Sequence, residues 1–234
     1  MKVLSWNILA SEWIESKYYP KIPSKTLFDR KKRFATILKL LKKSKADVIL
    51  LQEVMKDEYN KLVDIMSNKY IISSLKLMYW SYSTTSNSGN ATLLSSKLFS
   101  NVKHKPLTQG IHTTCEYAGA PVDVFNIHLD DMSTSKRATQ LKQIIKKTIS
   151  GRSIIAGDFN QNYTPRSPFF KIPGYIVNIN CPTYFIEKKL NLDNILTKGF
   201  KSSKGLPCEW YPESQEMGLK RYGSDHIPVS ASVV

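Results

Sequence analysis

The chain has 234 residues, with 34 Lys or Arg against 19 Asp or Glu and a formal net charge of +15. Its 41% hydrophobic and 11% aromatic residues allow a sizeable core, which excludes wholesale disorder, and the length suits one domain over residues 1–234. Three cysteines at wide spacing, Cys115, Cys181 and Cys208, exclude a disulfide framework and a CxxC zinc site and point to a reducing compartment.

Val3 to Leu9 reads as an opening strand, followed over residues 10–29 by a loop rich in Tyr, Pro and Lys. Phe34, Ile37, Leu38 and Leu41 form one apolar helical stripe, and Lys31, Lys32, Lys39, Lys42 and Lys43 lie off it. Asp47 to Leu51 is a buried strand ending at Gln52-Glu53, and Tyr59, Leu62 and Met66 mark a second helix. Strands are predicted at Tyr70 to Ser74, Leu77 to Ser83, Ala91 to Ser95 and Val122 to Leu129, with a polar loop from Ser83 to Asn90. Ala138, Leu141, Ile145 and Ile149 fit a third helix, and Ser153 to Ala156 a strand ending in Gly157-Asp158. Residues 160–190 hold four prolines and read as irregular; Leu192 to Leu196 and Ile227 to Val233 close the chain as strands. This order suits a layered mixed α/β fold.

The opening Met1-Lys2-Val3-Leu4-Ser5-Trp6-Asn7 is too short an apolar run for a signal peptide, and Glu12 and Glu15 follow soon after. No run of about 18 apolar residues predicts a membrane span. An intracellular monomer, in cytoplasm or nucleus, is the expectation. The positive excess favours anionic partners, nucleic acid or nucleotides among them. It also fits simple composition bias, since 28 of the 34 cations are Lys.

Six strand ends carry chemistry-bearing residues: Asn7, Glu53, His128, Asp158 with Asn160, Asp193, and Asp225-His226. Each alone reads first as a turn residue, a helix cap or a buried hydrogen-bonded group. Together, at strand ends facing one way, they would surround one pocket on a rigid frame. Carboxylates suit a hard cation such as Mg²⁺. A carboxylate can orient water toward phosphorus, a cationic histidine can stabilise the charge that develops, and amides can bind phosphate without adding repulsion.

The ordered stretches Ser5-Trp6-Asn7-Ile8-Leu9, Leu51-Gln52-Glu53-Val54, Gly89 to Ser95, Asn126-Ile127-His128-Leu129, Ala156 to Asn160, Leu192 to Leu196 and Gly223 to Val229 span almost the whole chain. This set resembles the endonuclease/exonuclease/phosphatase superfamily, with the fold of pancreatic deoxyribonuclease. The resemblance implies a four-layer sandwich of two mixed β-sheets flanked by helices and dependence on Mg²⁺ or Mn²⁺. It implies that Glu53 is the principal metal ligand, with Asp225 and Asn7 near the metal. Asp158 resembles the carboxylate that positions or deprotonates the attacking water, and Asn160 the amide that helps hold it. His128 and His226 resemble the pair on the scissile phosphate, and Asp193 the carboxylate that orients His226.

Asn90 is expected in the cleft. Asn7-Ile8-Leu9-Ala10 with Tyr19-Pro20 and Arg30-Lys31-Lys32 is similar to the start of poly(A) deadenylases and 2′-phosphodiesterases. Trp6-Asn7-Ile8 and His128-Leu129 with Arg137 and Gln140 are similar to tyrosyl-DNA phosphodiesterases, which places Arg137 among the substrate-binding candidates. Trp6, Trp13, Tyr18 and Tyr19 could stack on bases or serve as ordinary packing. The leading expectation is a metal-dependent phosphodiesterase acting on nucleic acid or oligonucleotide ends. The alternatives are a tyrosyl-DNA repair enzyme, a phosphatase of inositol phosphates or nucleotides, and an inactive nucleic-acid-binding module.

Overall fold

A computed structural model describes residues 1–78, 86–186, 189–206 and 211–234. In chain order it begins with β1 (Lys2–Asn7), a single turn α1 (Ser24–Leu27), α2 (Arg30–Ser44), β2 (Val48–Met55) and α3 (Lys56–Met66). There follow β3 (Tyr70–Ile72), β4 (Lys76–Leu77), β5 (Ser88–Ser95), β6 (Phe99–Leu107), β7 (Gly110–Tyr117) and β8 (Ala120–His128). Next come α4 (Thr134–Ile145), β9 (Arg152–Asp158), β10 (Ile176–Val177), β11 (Asp193–Lys198), β12 (Ser203–Gly205), α5 (Gln215–Tyr222) and β13 (Val229–Val233).

The helices begin where side chains can satisfy their first amides. The Asp29 carboxylate accepts from the Lys32 amide at the start of α2, and Ser133 Oγ accepts from the Lys136 amide at the start of α4. The α2 stripe buries Phe34, Ile37 and Leu41 as its spacing predicts. The third helix stops at Ile145, short of the expected Ile149, whose side chain is 83% exposed. The Asp123 carboxylate accepts from the amides of Ile149 and Ser150 at 2.8 and 2.6 Å and draws the chain out of the helical path.

Two mixed sheets result. The first has the order β12-β13-β1-β2-β5-β3, with β4 also on β5; the second runs β10-β11-β9-β8-β7-β6. Each contains one parallel pair joined through a crossover helix, β1-α2-β2 and β8-α4-β9, and every other pairing is antiparallel. Three cores stack in succession. Val3, Val48, Leu50, Val124, Ile154 and Ile195 fill the space between the sheets. Phe34, Ile37 and Leu219 pack with Ile49 and Leu51 outside the first sheet, and Leu141 and Ile144 with Phe125 and Ile155 outside the second. The layers are therefore helix, sheet, sheet, helix, as the resemblance implies.

Of the expected strand Leu77 to Ser83, Leu77 ends β4, and residues 79–83 lie outside the described residues. The loop expected from Ser83 gives way to β5 at Ser88, earlier than Ala91. The hairpin of β6 and β7 and the helix α5 leave little mark in the sequence. β6 is an edge strand whose Lys103, Lys105 and Pro106 are exposed, and α5 carries Gly218 in its middle. Among the described cysteines Cys115 is a buried free thiol, whereas Cys181 is disulfide-bonded, which the wide spacing did not anticipate.

Candidate active site

The second sheet sets its part of the site by register alone. His128 ends β8 directly opposite Asp158 at the end of β9, and Asp158 in turn faces Asp193 at the start of β11. Three chemistry-bearing residues thus sit side by side on neighbouring strands. Gly157 lets β8 and β9 approach this closely: its φ is +153°, and a Cβ there would lie 1.8 Å from the Ile127 carbonyl oxygen.

The first sheet needs more devices. Asn7 ends β1 opposite Gln52 of β2. The β2–β5 pairing shifts register between Leu51 and Val54, and Glu53 within this bulge has φ +59°. Bulges re-aim side chains in this way, here turning Glu53 toward Asn7. Ser224 Oγ donates to the Asn7 carbonyl at 2.7 Å and accepts from the His226 amide at 3.1 Å. The Arg33 guanidinium donates to the carbonyls of Leu9 and Gly223 at 3.2 and 2.7 Å, tying together the two loops that follow β1 and precede β13.

One amide links the carboxylates of the two sheets. Asn7 Nδ2 donates to Glu53 Oε1 at 2.8 Å and to Asp158 Oδ2 at 3.1 Å. Glu53 Oε2 accepts from the Ala10 amide at 2.9 Å, and Asp225 Oδ2 accepts from the Tyr19 hydroxyl at 3.0 Å. Burial and the like charge of Asp225 push Glu53 up to about 7. Among the described residues no Lys or Arg pairs with either carboxylate. Two crowded carboxylates with an amide oxygen nearby and no cation are a donor set that suits a hard divalent ion.

His226 Nδ1 lies 2.7 Å from Asp193 Oδ2, and its Nε2 lies 3.8 Å from Asp158 Oδ2. Burial opposes charge on this ring, but Asp193, Asp158 and Asp225 outweigh it and hold its pKa well above the ordinary histidine value. His128 Nε2 is 3.6 Å from the same Asp158 oxygen, and here burial prevails and lowers the pKa. Two imidazoles, one inclined to carry charge and one inclined to stay neutral, therefore face one carboxylate oxygen. Asp158, Asp193 and His226 also present donor atoms all within 4.8 Å of one another. Because Asp193 is committed to His226, the arrangement reads better as an acid–imidazole relay than as a cation cage. Asn160, at φ +48°, donates its backbone amide to Asp158 Oδ1 at 2.7 Å and its side-chain amide to the Leu129 carbonyl at 2.9 Å.

The structure thus gathers Asn7, Glu53, His128, Asp158, Asn160, Asp193, Asp225 and His226 at one edge of both sheets. Three substrate-binding expectations are corrected. Trp6 has no exposed surface, and its indole N–H donates to the His226 carbonyl at 2.9 Å, so it braces the site from behind and offers no face to a base. Arg137 is buried, with its donors spent on the carbonyls of Asp130 and Asp131, Thr134 Oγ1 and Gln161 Oε1. Asn90 is fully buried beneath the site and donates to Asn126 Oδ1 at 3.1 Å; Gln52 Nε2 donates to the same oxygen at 2.8 Å. Tyr19 is also buried, on Asp225, whereas Tyr18 is half exposed.

Sequence reasoning missed Arg33, the bonding role of Tyr19, and Thr183, whose Oγ1 accepts from the amides of Leu192 and Asp193 at 3.0 and 3.1 Å. Ser224 was visible only as one letter of the terminal motif. None of these positions has a local pattern that announces its partner.

A family model described as the Endonuclease/Exonuclease/phosphatase family matches residues 4–226. Among solved structures, D. rerio TDP2 humanized by 14 mutations superposes with a TM-score of 0.72 at 15% identity, covering 100% of this chain and 98% of that one. ANGEL2, described as a 2′,3′-cyclic phosphatase, gives a TM-score of 0.73 at 18% identity, covering 98% and 93%. The human Nocturnin catalytic domain with a bound sulfate gives 0.68 at 18%, covering 100% and 93%. D. rerio TDP2 has also been solved with a single-strand DNA product. At these identities the likeness is one of fold. No curated protein matches the chain by sequence.

Proposed function

Since the chain belongs to the endonuclease/exonuclease/phosphatase family, whose members hydrolyse phosphoesters, we propose that it is a Mg²⁺- or Mn²⁺-dependent phosphodiesterase acting on nucleic acid or oligonucleotide ends. The observation that carries this reading is the convergence on Asp158 Oδ2 of His128, His226 and Asn7 from both sheets, beside the carboxylates of Glu53 and Asp225, which pair with no Lys or Arg among the described residues. A solved relative with a single-strand DNA product and a net charge of +15 support the choice of substrate.

Asp158 Oδ2 accepts a proton from water as it attacks phosphorus, and the Asn160 amide on the other oxygen holds the carboxylate in orientation. His226, kept cationic by Asp193, faces the phosphate oxygens and stabilises the charge that builds on them. His128, which burial inclines to stay neutral, offers the phosphate a hydrogen bond without adding charge. Glu53, Asp225 and Asn7 would hold the divalent ion, whose chemistry there is to neutralise the phosphate and the leaving oxygen. In-line attack leaves one phosphate-bearing product and one alcohol.

The test uses end-labelled single-stranded RNA, single-stranded DNA, a 2′,5′-linked oligoadenylate and a 5′-tyrosyl DNA, each with Mg²⁺ and with EDTA. Cleavage of at least one substrate only in Mg²⁺ is expected. Asp158→Asn is expected to lower kcat by about 10³-fold with substrate binding kept. A folded protein that cleaves none of the four overturns the nucleic-acid reading.

A further inference from the structure

The outer face of the first sheet holds a basic groove on the side away from the carboxylates. It lies between α2, α5 and the strands β1 and β13, and encloses about 620 Å³. Its cations are Lys2, Lys39, Lys43, Lys220 and Arg221, and among the described residues no carboxylate lines it. A second concavity of about 390 Å³ shares Thr36 and Lys220 with it and adds Lys25 and Lys32. The two form one continuous basic channel along α2.

The α2 sequence builds this channel on purpose of spacing. Lys32, Thr36, Lys39 and Lys43 recur at steps of four, three and four, so they form a single stripe. The apolar stripe of Phe34, Ile37 and Leu41 roots the helix on the sheet and fixes the direction of the lysines. All three lysines are exposed. Among the described residues Glu216 pairs with Lys220 at 2.7 Å, and the Asp29 carboxylate, which lines the second concavity, is used to cap α2. Lys2 Nζ is anchored by the Ser44 carbonyl at 3.0 Å, which holds one cation at the far end.

From this geometry we propose that the α2–α5 channel is a second binding site, an exosite for the phosphates of a single-stranded nucleic acid. The inference deepens the proposed function and rests on nucleic acid being the substrate. A helix of 15 residues is about 22 Å long, enough to follow several successive phosphates of a single strand. A concave channel with an apolar floor of Leu4, Leu40 and Pro228 suits a strand with its sugars turned inward, whereas a bilayer needs a flat or convex basic face. The channel gives strand length a role that the catalytic edge alone does not: long substrates are held at two places and short ones at one.

The test compares the wild type with Lys39→Gln/Lys43→Gln/Lys220→Gln and with a control that removes three exposed lysines elsewhere, Lys97→Gln/Lys103→Gln/Lys105→Gln. Fluorescence anisotropy of labelled 20-nucleotide RNA and DNA is measured against salt. Hydrolysis of bis(p-nitrophenyl) phosphate in Mg²⁺ reports on the catalytic edge. For the channel variant, the slope of log affinity against log salt falls by about 2, and affinity near 0.1 M salt falls by about tenfold. Hydrolysis of the small diester stays unchanged. An unchanged slope, or an equal fall in the control, overturns the exosite. So does loss of capture by phosphatidylserine vesicles with oligonucleotide binding intact. Failure of the substrate reading looks different: the wild type hydrolyses the small diester yet binds neither oligonucleotide, and both proposals then fall.

Discussion

The two sheets are variations on one unit. Each has a parallel pair joined by a crossover helix and flanked by antiparallel strands. Each crossover helix also carries a buried arginine as its fourth residue: Arg33 in α2, which begins at Arg30, and Arg137 in α4, which begins at Thr134. Both donate from Nη1 to two carbonyls in the loops around the site. The units differ in how they aim chemistry. The second sheet places His128, Asp158 and Asp193 by ladder register. The first places Glu53 by a bulge and Asp225 and His226 by a loop held through Arg33, Ser224 and Tyr19. Register is backbone geometry and tolerates side-chain change around it. A strapped loop depends on each strap.

That contrast can be broken most severely at Gly157. A methyl group there collides with the Ile127 carbonyl, so Gly157→Ala is expected to cost about 4 kcal/mol or more in urea denaturation. Gly119→Ala is the control. Its φ of +72° is similarly unusual but nothing lies within 4 Å, so the cost is about 1 kcal/mol.

Arg33→Met tests the straps. It leaves the carbonyls of Leu9 and Gly223 without their donor, at a cost of about 3 kcal/mol in the same assay. Its kcat on the small diester is expected to drop by about tenfold to a hundredfold as Asn7 and His226 lose their spacing. Arg33→Lys should recover part of both. An Arg33→Met protein with full activity would show that the loop holds its shape without the strap.

A smaller effect than that of Arg33→Met is expected where the second sheet carries a similar pair away from the site. His112 Nε2 lies 2.6 Å from Asp123 Oδ1, with the ring stacked on Phe125. Burial disfavours charge on Asp123, but His112, Ser150 and two backbone amides prevail and hold it down at about 2. Its folded value is below its unfolded one, so the stability it contributes is present above about pH 4 and is lost as pH falls through about 2. Asp123→Asn is expected to lose about 2 kcal/mol at pH 7, with the difference from wild type shrinking toward pH 2 and activity unchanged. A difference that persists at pH 2 would place its origin in packing rather than in charge.

The same contrast marks what could be read without a structure. In the second sheet Asp158 follows the apolar run Ile154 to Ala156 and could be read from it, whereas Asp193 opens its strand and was marked only by the motif around it. Periodicity likewise revealed α2, α3 and the start of α4. The hairpin of β6 and β7 escaped because an exposed edge strand with lysines lacks an apolar run. α5 escaped because its eight residues show too few turns for a stripe. Trp6, Arg137 and Asn90 were placed near the site correctly in sequence but on the wrong side of its wall. Motif letters give neighbourhood, and only the partners a buried side chain bonds tell whether it is turned to the cleft or spent behind it.

The bulge at Glu53 has a consequence for the whole of β2. Before it, Val48 and Leu50 face the other sheet, while Ile49 and Leu51 face the helices. After it, Val54 also faces the helices, so odd positions hand that face to an even one. The strand carries two alternations half a period out of phase, joined at the residue that reaches the cleft. Sliding β2 by a single step along β5 would invert one half of the strand whichever half it satisfied. The irregularity that aims a carboxylate is therefore also a phase mark, and the chain can align the two strands in only one way.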